Sequence, residues 1–150
     1  MSDELNVYRA GLAQLEALVP LFDAYRVFYG QPSDAGMAHS FLLERLTQND
    51  TVVFLAELDG KAVGFTQLFP SFSSVSARRL WILNDLYVAP EARRGGVARA
   101  LLGRARVHAQ ETEAKGLVLS TAIDNEKAQR LYEGLGWVRD EAFYTYTLTV

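Results

Sequence analysis

Leu86-Tyr87-Val88-Ala89-Pro90-Glu91-Ala92-Arg93-Arg94-Gly95-Gly96-Val97-Ala98 runs from the end of an apolar strand, through a basic turn with adjacent glycines, into the start of a helix. Glycines let backbone N–H groups approach a ligand closely, and the first turn of a helix offers unpaired N–H donors with a favourable dipole. Arg93 and Arg94 add charge where a diphosphate would sit. The same residues also fit a plain tight turn closed by Gly95-Gly96, with both arginines solvated. Two other phosphate motifs fail here. A P-loop needs lysine followed by serine or threonine after its second glycine, where this chain has Val97-Ala98. A dinucleotide fingerprint needs glycines spaced G-x-G-x-x-G, which Gly95-Gly96 does not supply.

Upstream of the turn, Arg79 to Val88 predicts a long strand rich in Leu, Ile, Trp, Tyr and Val. Before it, Thr51–Leu58 and Lys61–Phe69 flank Asp59-Gly60, a strong two-residue hairpin signal. Pro70 is expected to close the second of these strands, leaving Ser71 to Ser76 as a polar loop. Nearer the N-terminus, Val7–Ala10 predicts a short strand. Leu12, Leu15, Leu18, Val19, Phe22, Tyr25, Arg26 and Tyr29 then recur at helical spacing. Pro20 falls inside that pattern and should kink the helix or begin a second segment. Ser33 or Asp34 can cap a further helix with Met37, Phe41, Leu42 and Leu46 as its stripe.

Downstream, a helix is expected from about Val97 to Lys115, then a buried strand over Leu117–Ile123 and a helix over Asn125–Leu135. Gly136 is its C-terminal stop, and Trp137–Val150 supplies strand material. The order β, α, α, β, β, β, α, β, α, β describes an α/β domain with a mixed sheet.

Composition limits what this domain can do. The chain has 150 residues, 49% hydrophobic and 22% charged, with no cysteine. That length predicts one domain spanning residues 1–150, large enough to need no staple. Without cysteine there is no disulfide scaffold, thiolate metal site or covalent cysteine mechanism. A net charge of −3 argues against general nucleic-acid binding, so any phosphate recognition must be local. Met1–Asn6 carries Asp3 and Glu4 where a secretory signal would be basic then apolar, and no apolar run suits a membrane span. A cytoplasmic protein is expected, and the Asn49-Asp50-Thr51 sequon is read as chance.

In this setting the turn resembles the central signature of the GNAT superfamily of acetyl-CoA-dependent N-acetyltransferases, Arg/Gln-x-x-Gly-x-Gly/Ala after a long strand. Arg93-Arg94-Gly95-Gly96-Val97-Ala98 places Arg93, Gly96 and Ala98 at the defining positions. A second, independent match is Asn125-Glu126-Lys127-Ala128-Gln129-Arg130-Leu131-Tyr132-Glu133-Gly134-Leu135-Gly136-Trp137, similar to the family's Asn-x-x-Ala-x-x-Leu-Tyr-x-x-Leu-Gly-Phe/Trp. Asn125, Ala128 or Gln129, and Tyr132 share one helical face. Without the motif, Tyr132 would read as an ordinary half-buried aromatic.

The resemblance implies the GNAT-like acyl-CoA N-acyltransferase fold. This is an α/β (α+β) arrangement with a mixed, mostly antiparallel central sheet flanked by helices and a splayed central strand pair. It implies acetyl-CoA as co-substrate, an amine acceptor, no metal and direct transfer. The pyrophosphate would lie on the amides of the turn, Arg93 to Ala98. The amides of Leu86, Tyr87 and Val88, at a bulge near Leu86 and Tyr87, would face the pantetheine arm.

Acetyl transfer to an amine requires a neutral amine, a donor for the oxyanion and a proton for the leaving thiolate. The resemblance makes Tyr132 the general acid, and a phenol with a reference pKa of about 10 suits a thiolate. Asp85 would either deprotonate the amine through water or make a structural hydrogen bond. Some relatives carry glutamate at the position of Asn84, and an amide cannot accept the proton.

Tyr25-Arg26-Val27-Phe28-Tyr29, Gly64–Ser74 and Ile82–Val88 further resemble a bacterial subgroup related to the fungal histone and polyamine acetyltransferases. This implies amine acceptors and homodimers. Tyr25, Tyr29, Phe72 and Tyr146 can line an acceptor pocket, or equally serve as core or dimer contacts. Arg78 and Arg79 can meet the coenzyme's adenosine end or simply border a loop. His39 and His108 read as surface or packing residues, and two distant histidines make no metal site. A non-catalytic acyl-CoA-binding module on the same fold is the alternative function.

Overall fold

The computed structural model describes residues 4–150, so the reading of Met1–Asn6 falls in part outside it. The chain divides into two compact units, residues 1–119 and 120–150. The first holds a five-stranded sheet in the order β1-β2-β3-β4-β5, made of β1 (Leu5–Ala10), β2 (Val52–Leu58), β3 (Lys61–Ser73), β4 (Arg78–Val88) and β5 (Gly116–Val118). Every pairing is antiparallel except β4 with β5. Its helices are α1 (Leu15–Phe28), α2 (Ala35–Gln48) and α3 (Val97–Glu111).

Alternation along the strands sorts the core into two layers. Val53, Leu55, Phe65 and Tyr87 pack with Leu18 and Phe22 of α1 and Ala38 and Leu42 of α2. Phe54 and Trp81 meet α3 through His108. With both faces covered, β2 reads as the continuous apolar run Val52–Ala56. Burying a side chain such as Leu18 or Leu42 contributes roughly 1.5–3 kcal/mol.

Local chemistry sets most of the boundaries. Asp59 and Gly60 both take positive φ (52° and 81°), as a primed two-residue hairpin turn requires. The Asp34 carboxylate accepts from the Met37 N–H at 3.0 Å and caps α2, while Met37 and Phe41 stay exposed and Ala38 joins the buried face. The α1 helix runs continuously through Pro20. This position lies early in the helix, where only one ladder bond is lost.

Three expectations are corrected. Pro70 does not end β3, which continues to Ser73 with Pro70 opposite Trp81. Leu68 is the last β3 residue paired with β2, so Pro70 lies where β3 is an edge and its missing N–H is tolerated. The strand expected over 117–123 is confined to Gly116–Val118, where it pairs with Leu80–Ile82. Among the described residues, β4 pairs with β5 over Leu80–Ile82.

The third correction concerns residues 137–150, which form no strand. The second unit holds one helix, α4 (Glu126–Gly134), and no strand that could pair within it. Strand propensity without a paired neighbour fixes no strand.

Candidate active site

The bulge in β4 lies earlier than expected. Leu68 pairs with Leu83 and Gln67 with Asp85, so Asn84 is the extra residue. One inserted residue exchanges the faces of everything after it. Trp81 meets His108 on the α3 side, whereas Tyr87 joins the layer beneath α1. The bulge is therefore two residues before Leu86-Tyr87. It turns Asp85 and Tyr87 away from α3.

Asp85 is 4% exposed, and both its carboxylate oxygens are engaged. The Gln67 amide donates to Oδ2 at 2.5 Å and the Asn84 amide donates to Oδ1 at 3.0 Å. The Gln67 Oε1 in turn accepts from the Thr51 hydroxyl at 2.7 Å, and the Thr66 hydroxyl donates to the Asp85 carbonyl at 2.8 Å. This buried chain fixes the bulge against β3, and the geometry supports the structural reading of Asp85. Outside the bulge, the Tyr25 hydroxyl lies 3.4 Å from the Asn84 carbonyl. The Tyr25 ring packs among Phe22, Tyr29, Phe65 and Tyr87.

Among the described residues, β4 pairs from Leu83 to Val88 with β3, and alternate backbone groups point to the side away from that ladder. Leu86, Tyr87 and Val88 lie on this stretch. The turn follows directly. Pro90–Ala92 form a single 3₁₀ turn, Arg94 and Gly96 adopt left-handed φ of 68° and 79°, and α3 starts at Val97.

Among the described residues, the N–H groups of Arg94, Gly95, Gly96 and Val97 donate to no backbone carbonyl. Successive free amides around left-handed residues form an anion-binding concavity, reinforced by the positive end of α3. The donor set fits a diphosphate. Arg94 carries its side chain exposed beside it.

Arg93 has a different place from the one its charge implied. Its Nε donates to the Val88 carbonyl at 3.0 Å. The guanidinium lies 5.7 Å from the Phe28 ring centroid and 5.8 Å from that of Tyr87. It ties the turn to the end of β4 and to α1, each aromatic contact adding about 0.5–1 kcal/mol at an exposed site.

A residue the sequence reading missed positions the turn from below. A Cβ on Gly64 would come within 2.8 Å of the Tyr87 carbonyl, 3.2 Å of Val97 Cγ1 and 3.4 Å of Leu101 Cδ1. Glycine at this position lets the start of α3 lie directly on the sheet. The only signal in sequence was an isolated glycine inside a strand.

In the second unit, the later motif writes both ends of α4. The Asn125 side chain accepts from the Ala128 N–H at 3.2 Å as N-cap. At the far end Gly136 takes φ 95°, its N–H bonds the Glu133 carbonyl, and the Trp137 N–H bonds the Tyr132 carbonyl. That pair is a Schellman motif, completed by ring contact between Tyr132 and Trp137 at 6.1 Å. Gln129 ties the entry loop by donating to the Ala122 and Ile123 carbonyls. Asn125, Ala128 and Tyr132 are thus held on one short helix, while Asp85, Leu86–Val88 and the turn belong to the first unit.

The remaining candidates lie elsewhere. Arg78 donates to the Glu113 and Ala114 carbonyls beyond the end of α3. Arg79 is nine residues before Val88 on β4, roughly 30 Å at strand rise, far from the turn. Phe72 stacks under the Arg79 guanidinium at that same distant end. Tyr146 is exposed in the second unit. His39 lies 3.8 Å from Glu16, and His108 packs between Phe54 and Trp81. Among the described residues no three metal-ligating side chains cluster, and no helix is long and apolar enough to cross a membrane.

The chain matches the model of the acetyltransferase (GNAT) family over residues 18–137. It is 44% identical over 146 residues to the uncharacterized N-acetyltransferase YhfO of Bacillus subtilis (strain 168), covering 97% of this chain and 98% of that protein. A crystal structure of a probable acetyltransferase superposes with a TM-score of 0.92 at 46% identity, covering 97% of each chain. An aminoglycoside N-acetyltransferase, AAC(6')-Iy, solved in complex with CoA, shares the fold at a TM-score of 0.80 and 21% identity, covering 100% of this chain and 98% of that one.

The end of β4 and the amide-lined turn define an acyltransferase scaffold. The chain belongs to the acetyltransferase (GNAT) family and is an N-acetyltransferase.

Proposed function

We propose that the protein moves an acetyl group from acetyl-CoA directly to a primary amine of a small molecule or protein. The observation that carries this reading is the run of N–H groups from Arg94 to Val97 that, among the described residues, donate to no backbone carbonyl, placed just past the end of β4. Acetyl-CoA supplies an activated thioester. The turn amides of Arg94 to Ala98 hold its diphosphate, with Arg93 fixing the turn, and those backbone groups of the Leu86-Tyr87-Val88 stretch that do not bond β3 orient the arm and offer a donor to the developing oxyanion. Tyr132 donates its phenolic proton to the departing sulfur while the attacking nitrogen gives its surplus proton to water, from which the phenolate is reprotonated, and Asn125 and Ala128 complete the α4 face that presents Tyr132. Asp85 is a positioning residue that holds the bulge.

The reading includes one domain over residues 1–150, supported by a family match that crosses both units. It also includes a cytoplasmic homodimer without nucleic-acid or membrane partners. The net charge of −3 and the exposed Val27, Phe28 and Tyr29 at the end of α1 support those points.

Calorimetric titration with acetyl-CoA, followed by thiol release over a panel of polyamines, peptides and aminoglycosides, tests the reading. Binding with amine-dependent thiol release is expected. Binding without release from any amine marks a binding module, and absence of binding overturns the reading altogether. Light scattering of the same sample reports the dimer.

A further inference from the structure

At the end of the first unit opposite the turn, a groove of about 470 Å³ opens between the sheet and the last turns of α3. Its walls include Arg9, Phe72, Arg79, Trp81, His108 and Thr112. The volume is within the range of small-molecule sites. His108 is 8% exposed, yet its Nε2 is buried without a hydrogen-bond partner. A buried polar atom without a partner costs stability.

Three neighbouring polar groups, on Trp81, Thr112 and Thr51, are already engaged. The Trp81 indole N–H donates to the Thr112 hydroxyl, which donates to the His108 carbonyl, and the Thr51 hydroxyl serves Gln67.

The positive charge here is uncompensated. Among the described residues, neither Arg9 nor Arg79 forms an ion pair. The Arg79 guanidinium lies over the Phe72 and Trp81 rings, 5.0 and 5.2 Å from their centroids, which holds it at the groove wall. Burial, followed by the charges of Arg9 and Arg104, pushes the His108 pKa below its ordinary value, with Glu111 opposing and Arg79 adding to the depression. The imidazole is therefore neutral near pH 7 and keeps one N–H donor and one acceptor. Arg104 is held by Glu111 at 3.5 Å and by the Phe54 ring, so the unspent charge is that of Arg9 and Arg79.

We infer that this groove is a second ligand site, separate from the acetyl-transfer site, for a small oxyanion bearing a carboxylate or phosphate. Arg79 and Arg9 bind its charge, the His108 imidazole lines the groove beside them, and Phe72 and Trp81 cover any flat apolar part. A guanidinium pre-aligned on aromatic rings matches either oxyanion by paired N–H donors.

The chain contains two histidines, which makes the test direct. The imidazole resonances of the full-length protein are followed by NMR during separate titrations with benzoate and with inorganic phosphate, at constant ionic strength. His108→Gln assigns the signals. A saturable shift of the His108 resonances, with those of His39 unmoved, is expected for at least one probe. Arg79→Gln, or Arg9→Gln on the exposed rim, should weaken that response about tenfold, the effect of one charged hydrogen bond. A response to benzoate alone identifies a carboxylate ligand, and a response to phosphate alone identifies a phosphate. No saturable shift with either probe, equal movement of His39, or an undiminished response in both arginine variants overturns the inference.

Discussion

Gly64 sits so close beneath Tyr87 that a single added methyl would come within 2.8 Å of the Tyr87 carbonyl oxygen. The same methyl would press on Val97 and Leu101, the first turns of α3. The turn of Arg93 to Gly96 hangs between these two contacts, at the end of β4 and the beginning of α3. Close packing of one glycine thus sets the height of the amide cradle above the sheet.

Gly64→Ala is therefore expected to destabilise the protein by about 1–3 kcal/mol, as overpacking typically does. It should also weaken acetyl-CoA binding, because α3 and its N-terminal donors must lift. Urea unfolding and calorimetry of the same variant check both effects. Full stability with unaltered binding would show that the sheet absorbs the methyl elsewhere.

Asp85 offers a sharper division between roles. Its partners Gln67 and Asn84 both donate to it, and a carboxamide has only one acceptor oxygen. Asp85→Asn must set donor against donor at one of them and cost about 1–3 kcal/mol. If Asp85 were the general base, the variant would also lose the acid limb of its pH profile for kcat/KM. The expected result is lowered stability with that limb intact. Its disappearance would restore Asp85 as the base.

The pH dependence of stability should carry the signature of His108. Burial and nearby arginines lower its folded pKa below the ordinary 6.5. Above pH 6.5 both folded and unfolded forms are neutral, and the residue contributes no pH dependence. As pH falls through 6.5 the unfolded chain takes up the proton first, so stability is lost, with a limiting slope of about 1.4 kcal/mol per pH unit. Urea midpoints from pH 5 to 8 should show this loss in the wild type and a smaller one in His108→Gln. An identical slope in both proteins would mean that His108 titrates normally.

What the sequence disclosed was local, and what it hid depended on neighbours in space. The hairpin at Asp59-Gly60, the cap at Asp34 and the stop at Gly136 are chemistry of consecutive residues, and each appears where the residues place it. The turn was legible because glycine, charge and a helix start coincide within a few positions. Pro70 misled because its tolerance depends on where β2 ends, several elements away. The bulge at Asn84 was displaced because register is a property of two strands, read from only one. Arg93 was legible as a charge in the turn, whereas the bond of its Nε to Val88 and its contacts with Phe28 and Tyr87 depend on elements distant in sequence. Residues 137–150 have strand composition, but composition alone does not supply the neighbouring strand a ladder needs, and no strand is assigned there.

The proposed acid can be separated from the helix that carries it. Tyr132 serves the end of α4 through its carbonyl, which accepts from the Trp137 N–H, and through its ring, which meets Trp137 at 6.1 Å. Tyr132→Phe preserves both and removes only the hydroxyl. The Schellman motif and the fold of α4 should therefore persist, with acetyl-CoA binding little changed by calorimetry. Turnover should fall by about 10²–10⁴, the usual contribution of a positioned general acid. The deficit should shrink with thioesters whose leaving thiol is more acidic, because such a sulfur departs without a proton. Undiminished turnover would remove Tyr132 from the chemistry. A deficit independent of thiol acidity would mean that the hydroxyl positions substrate rather than supplying the proton.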